Sequence, residues 1–366
     1  MIQKVCLDEL CISKSSNLAQ KDILENVGEY PVYGASGFIS NVNFFHQESE
    51  YIAVVKDGAG IGRTMLLPAK SSIIGTMQYL IPKNSVDSKY LYYAVKSMNL
   101  SKYFSGATIP HIYFKDYKKE LVPLYSRDKQ KLISSSLEKL EDIVAKKQQQ
   151  LSEYDQLIKS RFVEMFGQCD LNKRQNNWFK LGDVTEIVTG TTPSTHIEEN
   201  WNGKHLWITP AEIKDDSFYI YDTERKLSDI GLSSKSLRVM PINTVLLSTR
   251  APIGKTAIVG KPMTCNQGFK NFICKDKLNP IFLYILLKFN TDYLNSIGSG
   301  TTFKEISKTV VSNIEIPVPP IELQNEFASF VKQVDKLKFE NEILYSISRF
   351  TINKQTKLLG YRGVTL

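Results

Sequence analysis

The stretch RAPIGKT, Arg250 to Thr256, follows the apolar run NTVLLST, and a strand leading into Gly-Lys-Thr is how a phosphate-cradling loop begins. Such a loop needs a glycine five positions before its Gly-Lys-Thr, because backbone amides must converge on the phosphates. Here that position is Thr249, and Pro252 removes one of the amides the site would use. In the first half of the chain, Asp57-Gly58-Ala59-Gly60-Ile61-Gly62-Arg63-Thr64 follows a similar run, YIAVV, and has the form of a dinucleotide or S-adenosylmethionine loop. Laid over each other, Ile61-Gly62-Arg63-Thr64 and Ile253-Gly254-Lys255-Thr256 coincide, and neither nucleotide signature survives in what they share. The two near-misses read as one repeated turn with a basic tip.

The repeat extends outward from that turn. Gly62 to Gly254 is a shift of 192, and so is Tyr90-Leu91-Tyr92 onto Phe282-Leu283-Tyr284. Gly106-Ala107-Thr108 falls on Gly300-Thr301-Thr302, Val122-Pro123-Leu124 on Ile316-Pro317-Val318, and Gln130 on Gln324, all at 194. Upstream, Leu7-Asp8-Glu9-Leu10 resembles Leu181-Gly182-Asp183-Val184 at a shift of 174, so the second copy carries extra residues before its turn. The period is far longer than that of a solenoid and implies two similar domains, for which 366 residues provide two cores.

Composition narrows the class. Lys and Arg number 46 against 38 Asp and Glu, a formal charge of +8 that favours a polyanionic partner. The polar start MIQKVCLDEL and the lack of a long apolar run point to a cytoplasmic protein without a membrane partner. The five cysteines, Cys6, Cys11, Cys169, Cys265 and Cys274, are odd in number and form no Cys-x-x-Cys pair, which suits a reducing compartment. The four histidines are scattered and none stands at metal-ligand spacing, so no metal site is expected. No nucleophile elbow is present, and Asn279-Pro280-Ile281-Phe282 lacks the second proline of an amino-methyltransferase signature; it reads as a proline in a first helical turn. No catalytic residue and no cofactor site are therefore assigned to this chain.

Each copy ends in a long helical pattern. Residues 126–167 have no Gly or Pro before Gly167, and Leu137, Leu140, Val144, Leu151, Tyr154 and Ile158 keep a 3,4 alternation broken by Lys147 and Arg161. A forty-residue helix is about 60 Å long at ~1.5 Å per residue. The second segment, 320–366, places Val334, Leu337 and Leu344 on one stripe with Asn341 as its polar break. A lone rod would leave an apolar stripe in water, so each helix needs a partner. Pairing the two antiparallel gives an α+β chain of two similar α/β domains, 1–125 and 168–319, joined by coiled-coil helices with pseudo-twofold symmetry. In that arrangement the helices act as a ruler.

With these features in place, the whole chain resembles the DNA-specificity (S) subunit of a Type I restriction-modification system. The resemblance rests on Tyr30-Pro31-Val32-Tyr33-Gly34-Ala35-Ser36-Gly37, on Trp207-Ile208-Thr209-Pro210-Ala211-Glu212-Ile213, on the repeated turn, and on the proline-rich helix entries, Ile316-Pro317-Val318-Pro319-Pro320 being the fuller. It implies two target-recognition domains that read a bipartite site in double-stranded DNA. It also implies that the helices dock methylation subunits, two of them, which hold S-adenosylmethionine, while restriction subunits of the assembled complex bring ATP and Mg. A free-standing nucleotide-dependent enzyme using GAGIGRT or RAPIGKT, or a coiled-coil adaptor without a DNA role, are the alternatives.

Side chains that read base edges and phosphates in a groove are Arg, Lys, Asn and Gln, with hydroxyls in support. The candidates are Tyr33, Ser36, Lys56, Arg63 and Gln78 in the first domain and Thr191, Thr192, Lys214, Arg250, Lys255, Asn266 and Gln267 in the second. Arg63 and Lys255 are expected to contact the DNA backbone, since both copies put a cation at one place.

Overall fold

A computed structural model describes residues 3–24, 26–106, 109–173, 178–235, 237–250, 252–300 and 304–360. Ala107, Thr108, Thr301 and Thr302 of the repeat and Ala251 of the second turn lie outside the described residues, as does the side chain of Leu359. The chain divides into two compact units, Met1–Leu151 with Glu340–Leu366, and Ser152–Phe339.

In the first unit a four-stranded antiparallel sheet runs in the order Cys11–Ser15, Met77–Pro82, Tyr51–Val55, Thr64–Leu67. The unbroken apolar run YIAVV is a strand buried on both faces. Its alternate residues serve two cores. Ile52 and Val54 pack with Tyr90, Leu91 and Val95 of the helix Ser88–Ser97, while Tyr51, Ala53 and Val55 pack with Ile73 and Met77. A smaller sheet places Tyr30–Gly34 between Gly37–Val42, antiparallel, and Ser72–Ile73, parallel.

The second unit repeats this plan with an added strand. Its five-stranded sheet runs Thr185–Thr189, Lys270–Cys274, Val245–Leu247, Thr256–Val259, Tyr219–Ile220, and only the last pairing is parallel. Trp201–Ile208 lies between Arg225–Leu227, antiparallel, and Met263–Cys265, parallel. The tyrosine-rich segment at Tyr30 and the tryptophan-bearing one at Trp207 thus form the same strand of the two copies. Asn279 caps the helix Pro280–Phe289 with Pro280 in its first turn, as the proline reading required. Leu7–Leu10 and Leu181–Val184 are both single-turn helices at the start of their copies. Among the described residues no helix is long and apolar enough to cross a membrane.

The two long helices are Arg127–Phe166 and Ile321–Gly360. In the first, Leu140, Val144, Leu151, Tyr154 and Ile158 are half-buried at the expected spacing, and Leu137 is fully buried in the core of the first unit. The helices meet inside each unit and run antiparallel in the second. In the second unit Arg161 donates to Glu326 at 3.0 Å and Lys338 to Asp155 at 3.0 Å; in the first, Asn341 Nδ2 donates to Gln150 Oε1 at 3.3 Å.

The second helix departs from the expected stripe. Val334 and Asn341 are buried, but Leu337 is 49% and Leu344 50% exposed. The shielded face continues instead through Asp335, Lys338, Asn341, Tyr345, Ser348 and Ile352. Apolarity alone selects Leu337 over its neighbour Lys338. Lys338 takes the inner position because its alkyl stem packs while its ammonium reaches Asp155.

Candidate nucleic-acid interface

Both basic turns close antiparallel hairpins. In the first, Gly62 N–H donates to Val55 O at 2.8 Å and Val55 N–H to Arg63 O at 2.9 Å. In the second, Gly254 N–H donates to Ser248 O at 3.0 Å and Ser248 N–H to Lys255 O at 2.8 Å, across a loop one residue shorter. Each turn is followed by a strand, Thr64–Leu67 or Thr256–Val259, so no helix N-terminus stands where a phosphate loop would need one.

In the first unit the tip of the hairpin meets the neighbouring turn. Arg63 Nη1 donates to Ala35 O at 2.8 Å, which brings Arg63 beside Tyr33 and the exposed Ser36. Tyr33 packs edge-on against Phe38. Lys56 stands 4.0 Å from Asp57, whose other oxygen meets His111 Nδ1 at 2.7 Å. Gln78 does not join this group. It is 8% exposed in the strand Met77–Pro82, and its amide donates to the carbonyl of Lys14 on the adjacent strand, so it has no free edge for a base. The sequence could not tell that this polar residue faces inward, because the strand is covered on both sides.

In the second unit Thr191, Thr192, Asn266 and Gln267 come together. Thr192 Oγ1 donates to Gln267 Oε1 at 2.6 Å, Thr191 N–H to Cys265 O at 3.0 Å, and Asn266 Oδ1 accepts the Gly268 N–H at 2.9 Å. The approach depends on Gly190, where a Cβ would lie 1.9 Å from Cys265 O. Trp207 Nε1 braces the cluster by donating to Thr191 O at 3.1 Å. Arg250 is connected to the same loop, since Thr249 N–H donates to Gly268 O at 2.8 Å. Lys214 and Lys255 form a separate group around a pocket that also takes in Gly254 and Thr291, and the Lys255 ammonium is held by Ile213 O at 2.7 Å.

Two charged residues here escape a reading of loops alone. Lys270 is 7% exposed, and its ammonium lies 3.4 Å from Glu305, which also accepts Arg250 Nε at 2.9 Å. Burial pushes the Glu305 carboxyl up, but the hydrogen bond and charge of Arg250, with Lys270 behind it, outweigh this and hold it below the usual carboxylate range. Glu305 and His111 occupy equivalent places: each exchanges backbone bonds with a serine, Ser299 or Ser105, and bridges to the hairpin at Arg250 or Asp57. The shift of 194 that relates Gln130 to Gln324 also relates His111 to Glu305, and was the available signal.

Residues 2–153 and 174–349 match the family described as Type I restriction modification DNA specificity domain. The chain is 38% identical over 201 residues to the type I restriction enzyme MjaIX specificity subunit of Methanocaldococcus jannaschii, a match covering 52% of this chain and 46% of that one. The chain thus spans about half the length of that relative. Among solved structures, the S subunit of a type I restriction-modification system from M. genitalium superposes with a TM-score of 0.69 at 16% identity, over 100% of this chain and 97% of that one. A chain from a structure concerned with complex assembly and conformational transition of the type I R-M system superposes with a TM-score of 0.58 at 16% identity, over 97% of this chain and 96% of that one.

Proposed function

The chain belongs to the Type I restriction modification DNA specificity domain family, and from that premise we propose that it is the non-catalytic reader of a bipartite DNA target, one half per unit. The observation that carries this reading is the duplication itself. A common frame of hairpin, sheet and helix presents different polar groups in its two copies, Arg63 with Ser36 and Lys56 in one, Arg250 with Thr192, Asn266 and Gln267 in the other. A shared frame supplies contacts to the uniform backbone of the duplex, and the differing side chains supply the base readout.

The same reading assigns the partners. Ile343, Ile347 and Phe350 are 43%, 56% and 69% exposed along one helical face, an apolar stripe suited to methylation subunits. Those subunits, two per complex, would carry S-adenosylmethionine, and restriction subunits ATP and Mg. The strand that follows each hairpin turn weighs against a nucleotide site in GAGIGRT or RAPIGKT. Titrating S-adenosylmethionine into the purified chain and then into the chain with methylation subunits tests this: binding is expected only in the second case. A gel shift of the same reconstituted complex should retard DNA carrying the target and release it as salt rises. Tight S-adenosylmethionine binding by the chain alone, or no shift, would overturn the reading.

A further inference from the structure

The two copies differ at one framework site of the short helix and the long helix beside it. In the first unit Tyr92, Tyr93, Lys96 and Glu141 form a closed group: Lys96 Nζ meets Glu141 at 2.7 Å and Tyr92 Oη at 2.9 Å, and Tyr93 Oη donates to Glu141 at 2.9 Å. At the matching shifts of 192 and 194 the second unit has Tyr284, Ile285, Lys288 and Asp335. The hydroxyl of Tyr93 is gone, and the acid is one methylene shorter.

The group has opened. Lys288 retains only Tyr284 Oη at 3.3 Å, and Asp335 makes no hydrogen bond or ion pair among the described residues. Between them lies a cavity of about 200 Å³, floored by Ile158, Tyr284, Ile285 and Val331 and rimmed by Asp155, Asp215 and Asp216 as well as Asp335. At ~30 Å³ per water it has room for about six waters, or for a short aliphatic chain. Four carboxylates face two ammoniums, Lys288 and Lys338, and one carboxylate, Asp155, is already paired with Lys338. Burial pushes the Asp335 carboxyl up and the Lys288 ammonium down, as expected of charges left short of partners.

We propose that this cavity binds a small aliphatic amine, with its ammonium against Asp335 and the outer aspartates and its methylene chain on the apolar floor. The excess of carboxylates selects a cation, and the apolar floor selects an alkyl body over a bare metal ion. The proposal is independent of the DNA-reading role. At the equivalent site of the first unit the Tyr93 hydroxyl and the Lys96 ammonium both bond Glu141.

The test is calorimetric titration of the full chain with putrescine and spermidine at physiological salt. One saturable site is expected in the native sequence. Asp335→Glu keeps the charge but extends the acid toward Lys288, as Glu141 extends to Lys96, and Ile285→Tyr restores the ring; each should weaken binding at least tenfold. If Asp335→Glu fails to fold, judged by its unfolding transition, Ile285→Tyr decides. Equal affinity in the folded variants would mean that diffuse surface charge holds the amine and would overturn the proposal. Absence of saturable binding to the native chain would overturn it too, leaving the cavity to a basic side chain of a protein partner.

Discussion

Gln324 holds Asn279: its Oε1 accepts the Asn279 backbone N–H at 2.8 Å, while its Nε2 donates to the carbonyls of Lys277 at 3.0 Å and Pro319 at 2.6 Å. In the first unit Gln130 makes the same three bonds, to Asp87 N–H at 2.7 Å, Ser85 O at 3.4 Å and Tyr125 O at 2.8 Å. Both glutamines are fully buried. Each ties the first turn of a long helix to the N-cap of the short helix beside it, so the amide is a joint between rod and domain. Gln324→Leu leaves one N–H and two carbonyls without partners and should cost about 3 kcal/mol or more, at ~1–3 kcal/mol for each of the three groups. Denaturant unfolding of the variant measures this, and a loss below about 0.5 kcal/mol would show the joint to be dispensable.

The hairpin glycines should rank in a definite order. Gly62 has φ +81° and Gly254 φ +94°, so any side chain is strained at both. A Cβ at Gly62 would also lie 2.6 Å from the backbone nitrogen of Ser101, whereas at Gly254 the 2.6 Å contact is the movable Cγ2 of Thr291. Gly62→Ala should therefore lower the thermal midpoint more than Gly254→Ala. The reverse order would indicate that the backbone near Ser101 yields.

Arg63 and Lys255 occupy one framework place but are held differently. Arg63 is exposed and tied by one of its nitrogens to Ala35 O, and Lys255 is half-buried with its ammonium on Ile213 O. Replacing Arg63 by Ala should reduce the salt dependence of DNA binding by about one unit in the log–log slope and weaken all sequences alike. Lys255→Ala should show the same slope change with an added loss of stability. An unchanged slope with altered sequence preference would make either residue a base reader.

Glu305 links stability to acid. Its folded-state carboxyl is depressed, so its contribution is present above the ordinary carboxylate range and is lost as pH falls through the depressed value. Glu305→Gln should be less stable than the native chain at neutral pH, because buried Lys270 loses its counter-charge, and the gap should narrow below about pH 4. Unfolding midpoints followed from neutral to acid pH check this, and parallel curves would contradict it.

Asn341 has a buried Oδ1 that finds no partner among the described residues of the helix pair in the first unit. Asn341→Leu should raise the thermal midpoint, at about 1 kcal/mol for the relieved group, while loosening the register that the Gln150 contact fixes. A lowered midpoint would show that the polar pair stabilises the helices outright.

Much of this architecture is legible in the sequence because duplication acts as an internal alignment. The unbroken runs YIAVV and VLL gave the central strands, and the 3,4 spacing from Leu137 to Ile158 gave the face of the first helix. Where polarity and burial part company, the reading fails. Gln78 and Lys270 are buried polar residues at equivalent positions of equivalent strands, one satisfied by Lys14 O and the other by Glu305, and neither partner is near in sequence. Leu337 and Leu344 fail for the converse reason, since cross-helix bonds give the inner face to Lys338 and Asn341.

The central claim is that each unit reads its own half of the target. The most direct measurement exchanges residues 1–110 for those of a family member with a different target and sequences the methylome of cells carrying the chimera. One half of the methylated site should change to that of the donor while the other half stays as it was. A methylome in which both halves change, or neither does, would contradict the account.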